Sequence, residues 1–174
     1  FATDPSKLLI GLSDGNTWRT SVGIVQNQRL HIDLGETKCI TSFYYENFHR
    51  VGALVTDGAR AFTFWGSNNS SAFNDLTYDI DDNWSQLTTD VSEFDIHSAL
   101  NSPDPKYVNV TNTSTYRYYA IKFSSNWGGT TIGLRRIELY GTSSSYLVND
   151  ICYVDNGMYK CILDNTADSN NKPG

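Results

Sequence analysis

Short segments in which apolar and polar residues alternate recur along most of this 174-residue chain. In residues 29–34, for example, Leu30, Ile32 and Leu34 fall on one side of the chain and three polar residues fall on the other. Alternation with a period of two is typical of a β-strand with one buried face. Segments of the same kind are residues 39–45, 61–65, 107–110, 116–123 and 132–140. Because clusters of Gly, Asn, Asp and Ser separate them, the pattern predicts an all-β fold, an antiparallel β-sandwich or jelly roll.

A change of composition near residue 142 divides the chain. Residues 141–145 read Gly-Thr-Ser-Ser-Ser, which is typical of a linker. A second short pair of strand-like segments follows, around Asn156-Gly157. The sequence therefore predicts a β-sandwich over residues 1–142, then a linker and a small β-hairpin module over residues 143–174.

Charge and hydropathy exclude two classes of partner. The net charge is −6, from 19 acidic and 13 basic residues, and the basic residues form no cluster. Nucleic acid is a poor partner for such a chain, because neutralisation of phosphates dominates that binding. No stretch approaches the roughly 18 consecutive apolar residues of a membrane span. We therefore expect neither nucleic-acid binding nor a membrane-spanning segment.

Two cysteines flank the predicted hairpin turn. If Asn156 and Gly157 form a two-residue type I′ turn, Cys152 lies directly opposite Cys161. The pair is then a non-hydrogen-bonded one, with Cα atoms about 4.5 Å apart, which a disulfide can span. The sequence predicts a Cys152–Cys161 disulfide, and the alternative is two reduced thiols.

Two loop-like stretches carry candidate ligand-binding residues. One contains His49 and Arg50, and the other contains Asn126 and Trp127 followed by two glycines. A shallow sugar site needs an aromatic ring to stack on the C–H-rich face of the sugar and planar polar groups to bind its hydroxyls. These four residues are therefore the predicted ligand-binding set. The alternatives are that Trp127 folds back onto the sandwich and that His49 and Arg50 are solvated loop residues.

Five short motifs occur in a fixed order along the chain. They are Leu-Ser-Asp-Gly-Asn-Thr-Trp at 12–18, Leu-His-Ile-Asp-Leu-Gly at 30–35, Phe-Trp-Gly-Ser at 64–67, Tyr-Arg-Tyr-Tyr-Ala-Ile at 116–121 and Leu-Arg-Arg-Ile-Glu-Leu-Tyr-Gly at 134–141. Over residues 5–142 the chain thereby resembles the discoidin, or coagulation-factor C-type, domains. The likeness is greatest to the galactose-binding-like carbohydrate-binding modules appended to bacterial glycosidases. The resemblance implies a discoidin-like jelly roll that binds carbohydrate.

The resemblance also implies a structural calcium ion that ties the first loop to the closing strand. Mapped onto this chain, Asp14 and Thr17 would supply side-chain oxygens and Glu138 a carboxylate. Calcium takes six to eight oxygen ligands, so backbone carbonyls would complete the shell. The alternative is that residues 14–16 form an ordinary turn and that Glu138 pairs with an arginine.

Two further likenesses concern the setting of the domain. The sequences of residues 62–73 and 116–119 are similar to those of discoidin-type domains in phage tail and other virion proteins. Residues 150–161 are similar to small chitin-binding-like modules, of which this chain carries an incomplete copy. They imply a place on a virion or in another extracellular protein.

The sequence predicts binding rather than catalysis. No Ser/His/Asp set has a recognisable nucleophile context, and no His/Cys cluster has zinc spacing. We predict a non-catalytic carbohydrate-binding module of a larger extracellular or virion-surface protein, with a glycan as partner. The alternative is a structural domain of a phage tail, fibre or decoration protein that contacts copies of itself or other virion proteins.

Overall fold

The computed structural model describes residues 17–142 and the backbone of four short strands beyond them, and the chain separates into two compact units, Phe1–Gly141 and Thr142–Gly174. Strands of the first unit are β1 Trp18–Arg19, β2 Gln28–Asn47, β3 Phe62–Ser67, β4 Ser85–Thr89, β5 Lys106–Thr111, β6 Tyr116–Phe123 and β7 Gly133–Thr142. Its helical elements are a 3₁₀ turn at Val55–Asp57 and helix α1 at Ser70–Asn74. Strands of the second unit are β8 Ser145–Tyr146, β9 Ile151–Val154, β10 Gly157–Lys160 and β11 Asn165–Thr166. Among the described residues, no helix is both long and apolar enough to cross a membrane.

Strand β2 belongs to both sheets of the sandwich. Residues 28–33 pair antiparallel with β6, and residues 42–45 pair antiparallel with β5. Between them the register shifts at a bulge that contains Gly35, whose φ of +77° suits glycine. The strand order is β1-β7-β2-β5-β4-β3-β6, and β6 pairs back onto β2. The predicted antiparallel β-sandwich is confirmed.

The core between the sheets is rich in aromatic side chains. Phe43, Phe64, Tyr119 and Phe123 are fully buried in it. Trp18 packs against Phe123 with ring centroids 5.5 Å apart. All of these rings except that of Trp18 belong to strands that the alternating pattern predicted, and their burial is the main source of the fold's stability.

A second apolar cluster lies on the opposite face of β6. Tyr118 and Ala120 point there, since neighbouring residues of a strand face opposite sides. The loop between β3 and β4 covers them with Ala72, Phe73 and Trp84. Strand β6 is therefore covered on both faces, by the main core on one side and by this loop on the other.

Two polar residues of β2 hold this covering loop in place. Arg29 Nη1 donates to the carbonyls of Thr77 (2.8 Å) and Ile80 (2.7 Å), and its side chain is 1% exposed. His31 Nδ1 lies 2.6 Å from the Phe73 carbonyl, and Arg29 Nε donates to His31 Nε2 at 2.9 Å. Burial lowers the pKa of His31, so the ring is neutral and accepts that bond.

The register of the C-terminal hairpin differs from the predicted one. Val154 pairs with Gly157, and Cys152 pairs with Tyr159. The prediction that Cys152 lies directly opposite Cys161 is therefore wrong, because the pairing is centred one residue nearer the N-terminus than an Asn156-Gly157 turn requires, which moves the partner of Cys152 by two residues. Cys161 lies outside the described residues, and the disulfide stays a prediction without that geometric support.

Candidate functional site

Three loops meet at one end of the sandwich. They comprise residues 48–61, 90–105 and 124–132, and we call them together the loop end. Hydrogen bonds join them, from Phe94 N–H to the Arg60 carbonyl (2.9 Å), from Trp127 Nε1 to the Phe94 carbonyl (3.1 Å) and from Gly129 N–H to the Thr56 carbonyl (3.0 Å). The two loops that carry the predicted ligand-binding residues therefore lie side by side.

The buried carboxylate of Asp57 fastens the first of these loops to the third. Its Oδ1 accepts the N–H groups of Thr130 (2.6 Å) and Thr131 (3.3 Å), and its Oδ2 lies 3.3 Å from Arg19 Nη2. A Cβ atom on Gly129 would lie 2.1 Å from Oδ1, so glycine alone fits there. The conformation of both loops depends on this one carboxylate.

Asn126 holds the third loop from within. Its amide nitrogen donates to the carbonyls of Gly129 (3.0 Å) and Thr131 (2.7 Å). Its amide oxygen accepts the N–H of Gly128 (2.9 Å). Both amide hydrogens are engaged, so in this structure Asn126 is a positioning residue.

Trp127 is half-buried at the loop end. Its Nε1 donates to the Phe94 carbonyl, which turns the indole partly back onto the sandwich. The guanidinium carbon of Arg60 lies 4.6 Å from the ring centroid, in cation–π contact. Arg60 Nε is also 3.2 Å from Glu93 Oε2. The loop end thus presents an aromatic ring and a guanidinium group next to each other.

His49 and Arg50 occupy different environments. His49 is 2% exposed and stacks on His97, with ring centroids 3.9 Å apart and 17° between the planes. Its Nδ1 accepts the N–H of Gly52 at 2.9 Å. Arg50 is exposed, and its backbone pairs with Ala53. His49 and Arg50 therefore do not form one binding surface, because only Arg50 faces solvent.

Sequence reasoning missed the partners of His49. Glu46 and His97 are 2% and 3% exposed, and the metal-ligating atoms of Glu46, His49 and His97 all lie within 4.8 Å of one another. Burial lowers the pKa of His97, which favours a neutral ring. The only signal in the sequence is the Glu46-x-x-His49 spacing, since His97 belongs to a different loop.

Of the three residues predicted to bind calcium, the structure describes Thr17 and Glu138. The Glu138 carboxylate pairs with Arg136 and accepts the Tyr140 hydroxyl at 2.5 Å. Thr17 precedes Trp18, which pairs with Leu134, so Thr17 and Glu138 are offset by about 10 Å along β7. Asp14 lies outside the described residues.

Solved structures with the same architecture are known. One is CBM32-1 from a family 31 glycoside hydrolase of Clostridium perfringens, with a TM-score of 0.55 and 12% identity over 79% of this chain and 84% of that one. The family 32 carbohydrate-binding module of Streptococcus pneumoniae EndoD has a TM-score of 0.51 and 12% identity over 82% and 88%. The chain has the fold of a family 32 carbohydrate-binding module.

A third match is chitosan-binding module 1 of a chitosanase/glucanase from Paenibacillus sp. IK-5. Its TM-score is 0.52, with 17% identity over 80% of this chain and 86% of that one. No protein-family model matches the sequence, and no curated protein matches it. At these identities the likeness shows the fold, and it confirms the discoidin-like architecture that the five motifs imply.

Proposed function

We propose that the chain is a non-catalytic glycan-binding module whose ligand contacts the loop end. The observation that carries the proposal is the cation–π pairing of Trp127 with Arg60 at the loop end, whose first loop also carries the exposed Arg50. The solved structures of similar fold support it, since they include a chitosan-binding module and family 32 carbohydrate-binding modules. The setting is a larger extracellular or virion-surface protein.

The chemistry of these groups suits a sugar. The indole ring offers an apolar face for axial C–H groups, and a guanidinium offers several fixed donors for hydroxyl oxygens. Arg60 is 43% exposed, so it retains donors that face solvent. We expect stacking on Trp127 to supply most of the affinity and the arginines to select among sugars.

The backbone of the first loop supports the same assignment. Val51 and Leu54 adopt left-handed conformations, with φ of +53° and +56°, and their side chains are 57% and 47% exposed. Such conformations are strained for a β-branched residue such as Val51. Strain of this kind concentrates at ligand-binding sites. An exposed apolar pair on a fixed loop adds contact surface beside Arg50.

A second candidate function is assembly through a sandwich face. Tyr107 on β5 and Tyr140 on β7 are 65% and 42% exposed, and these two strands flank β2. Tyr44 of β2 packs against Tyr107, with ring centroids 5.5 Å apart. Tyrosine is enriched at protein interfaces. If this face contacts copies of the chain or other virion proteins, the full chain will self-associate in sedimentation, and Tyr107→Ser will reverse it.

Replacing Trp127 with alanine should abolish glycan binding. A single shallow site binds weakly, so we expect the loss of one stacked ring to remove measurable affinity. A glycan array followed by calorimetric titration of the best sugar measures the effect. Useful avidity in the parent protein would then come from several copies.

The design includes two matched variants. Trp127→Phe keeps an aromatic face and should retain part of the affinity. Trp65→Ala removes another half-buried tryptophan, away from the loop end, and should leave binding intact. Undiminished binding by Trp127→Ala would move the site elsewhere. Absence of binding to every glycan would leave the assembly function as the better candidate.

Calcium at Asp14, Thr17 and Glu138 is a separate part of the proposal. A chelator selective for calcium should lower the melting temperature of the full chain, because an ion bound only by the folded state stabilises it. Glu138→Ala should remove that sensitivity. If Glu138 instead serves only Arg136 and Tyr140, melting curves with and without chelator will coincide.

A further inference from the structure

Glu46, His49 and His97 form a buried cluster between two loops. Glu46 belongs to the end of β2, His49 to the loop that follows it, and His97 to the loop between β4 and β5. All three are less than 4% exposed, and one ligating atom of each lies within 4.8 Å of the others. Three side chains of the kinds that bind metal ions thus converge inside the fold, where most other buried polar groups of the described residues are hydrogen-bonded.

Polar atoms of two members of this cluster, Glu46 and His97, lack hydrogen-bond partners. Glu46 Oε2 makes no hydrogen bond, and Oε1 accepts only a long one from Asp104 N–H (3.4 Å). Neither ring nitrogen of His97 makes a hydrogen bond of normal geometry, although the Ser102 backbone lies near the ring. Buried polar groups are almost always satisfied, so a missing partner indicates a bound water or ion.

There is room for such a partner beside the cluster. A cavity of about 70 Å³ is lined by Glu46, His49, Ser102, Pro103 and Arg135, among others. That volume accommodates one or two water molecules. A metal bound by three side chains could therefore keep a water as its fourth ligand, as three-ligand zinc sites do.

We propose that Glu46, His49 and His97 bind a zinc ion. Two imidazole nitrogens and one carboxylate are a ligand set that zinc accepts, whereas calcium prefers six to eight oxygens. The carboxylate of Glu46 offsets half of the ion's charge. Arg135 lines the same cavity, and its Nη1 donates to the His49 carbonyl at 3.2 Å. Its positive charge repels the remaining positive charge of the ion. We therefore expect weaker binding than at a structural site with four protein ligands.

Binding requires a local rearrangement. Ligand atoms on one zinc are about 3.3 Å apart, closer than the 4.8 Å spread of this cluster. The His49 ring also exchanges its bond to Gly52 N–H for a bond to the metal, or rotates so that its other nitrogen reaches the metal. Both histidines lie on loops rather than in strands, so the required movement falls on the adaptable part of the fold. This site does not depend on the glycan proposal.

The test is a titration of the full chain with zinc chloride after removal of metals by a chelator. We expect one equivalent to bind, with a rise in melting temperature that calcium chloride does not reproduce. Cobalt(II) should give the visible absorption of a low-coordinate site. Glu46→Gln and His97→Gln should each weaken zinc by about tenfold or more.

The chain offers matched controls, because it has only three histidines. His31→Gln changes the one histidine outside the cluster, and Glu93→Gln changes an exposed glutamate of the loop end; both should bind zinc as the wild type does. If a cluster variant does not fold, imidazole NMR signals of the wild type decide the matter. Zinc should shift the His49 and His97 signals and leave those of His31. No saturable binding, or shifts at His31 alone, would overturn the proposal in favour of ordered water.

Discussion

Replacing Asp57 with alanine should lower the free energy of unfolding by about 3 kcal/mol. The carboxylate is buried, accepts two backbone N–H groups and pairs with Arg19. Removing it leaves those N–H groups without a partner and detaches the first loop of the loop end from the third. For a domain of this size the melting temperature should fall by roughly 10 °C. Differential scanning calorimetry measures both quantities.

Two variants separate the charge of Asp57 from its shape. Asp57→Asn keeps an oxygen acceptor for Thr130 N–H and loses the ion pair with Arg19, so it should cost less than Asp57→Ala. Asp82→Ala removes an exposed aspartate and should change stability by less than about 0.5 kcal/mol. Equal stabilities of the Asp57→Ala and Asp82→Ala proteins would contradict the role of this carboxylate.

Replacing Arg29 with methionine should release the loop that covers the outer face of β6. The guanidinium of Arg29 is buried and donates to two loop carbonyls, and no apolar side chain can replace those bonds. We expect a loss of about 2 kcal/mol and faster proteolysis within residues 68–84. The midpoint of urea unfolding and the rate of cleavage by a protease report the two effects.

A second arginine provides the control. Arg117 makes a two-bond ion pair with Asp33, at 2.8 and 2.9 Å, but on the surface. Exposed ion pairs contribute less than about 1 kcal/mol, so Arg117→Met should be close to neutral. If the protease cleaves the covering loop of the Arg29→Met protein no faster than that of the wild type, the apolar contacts of Phe73 and Trp84 are sufficient to hold the loop.

Most of the strands could be predicted from the sequence because they bury one face. Residues 116–123, 132–140 and the two halves of β2 were found through alternation alone, and all are strands. Strand β4, Ser85–Thr89, has only Leu87 buried, so its apolar signal was too weak to detect. The predicted segments 29–34 and 39–45 are two parts of one strand, β2, which continues through a bulge from the first sheet into the second.

The candidate site was predicted only in part. Both loops that carry the predicted ligand-binding residues were identified from the sequence, and the structure places them side by side. The buried state of His49 was not foreseen, since the histidine that stacks on it, His97, comes from a loop that carried no motif. The interpretation of Asn126 as a ligand residue overlooked that an amide followed by two glycines binds its own loop first.

The sequence by itself determined the class of fold and the position of most strands along the chain, because these follow from the local period of apolar residues. Only the tertiary structure decided which polar groups lie together. The contacts of Asp57 with Thr130, of Arg29 with Ile80 and of Glu46 with His97 each involve at least one loop, and loops carry no period that fixes what they face. Strand pairing sets where those loops start and end, and burial then selects the partners that satisfy their polar groups.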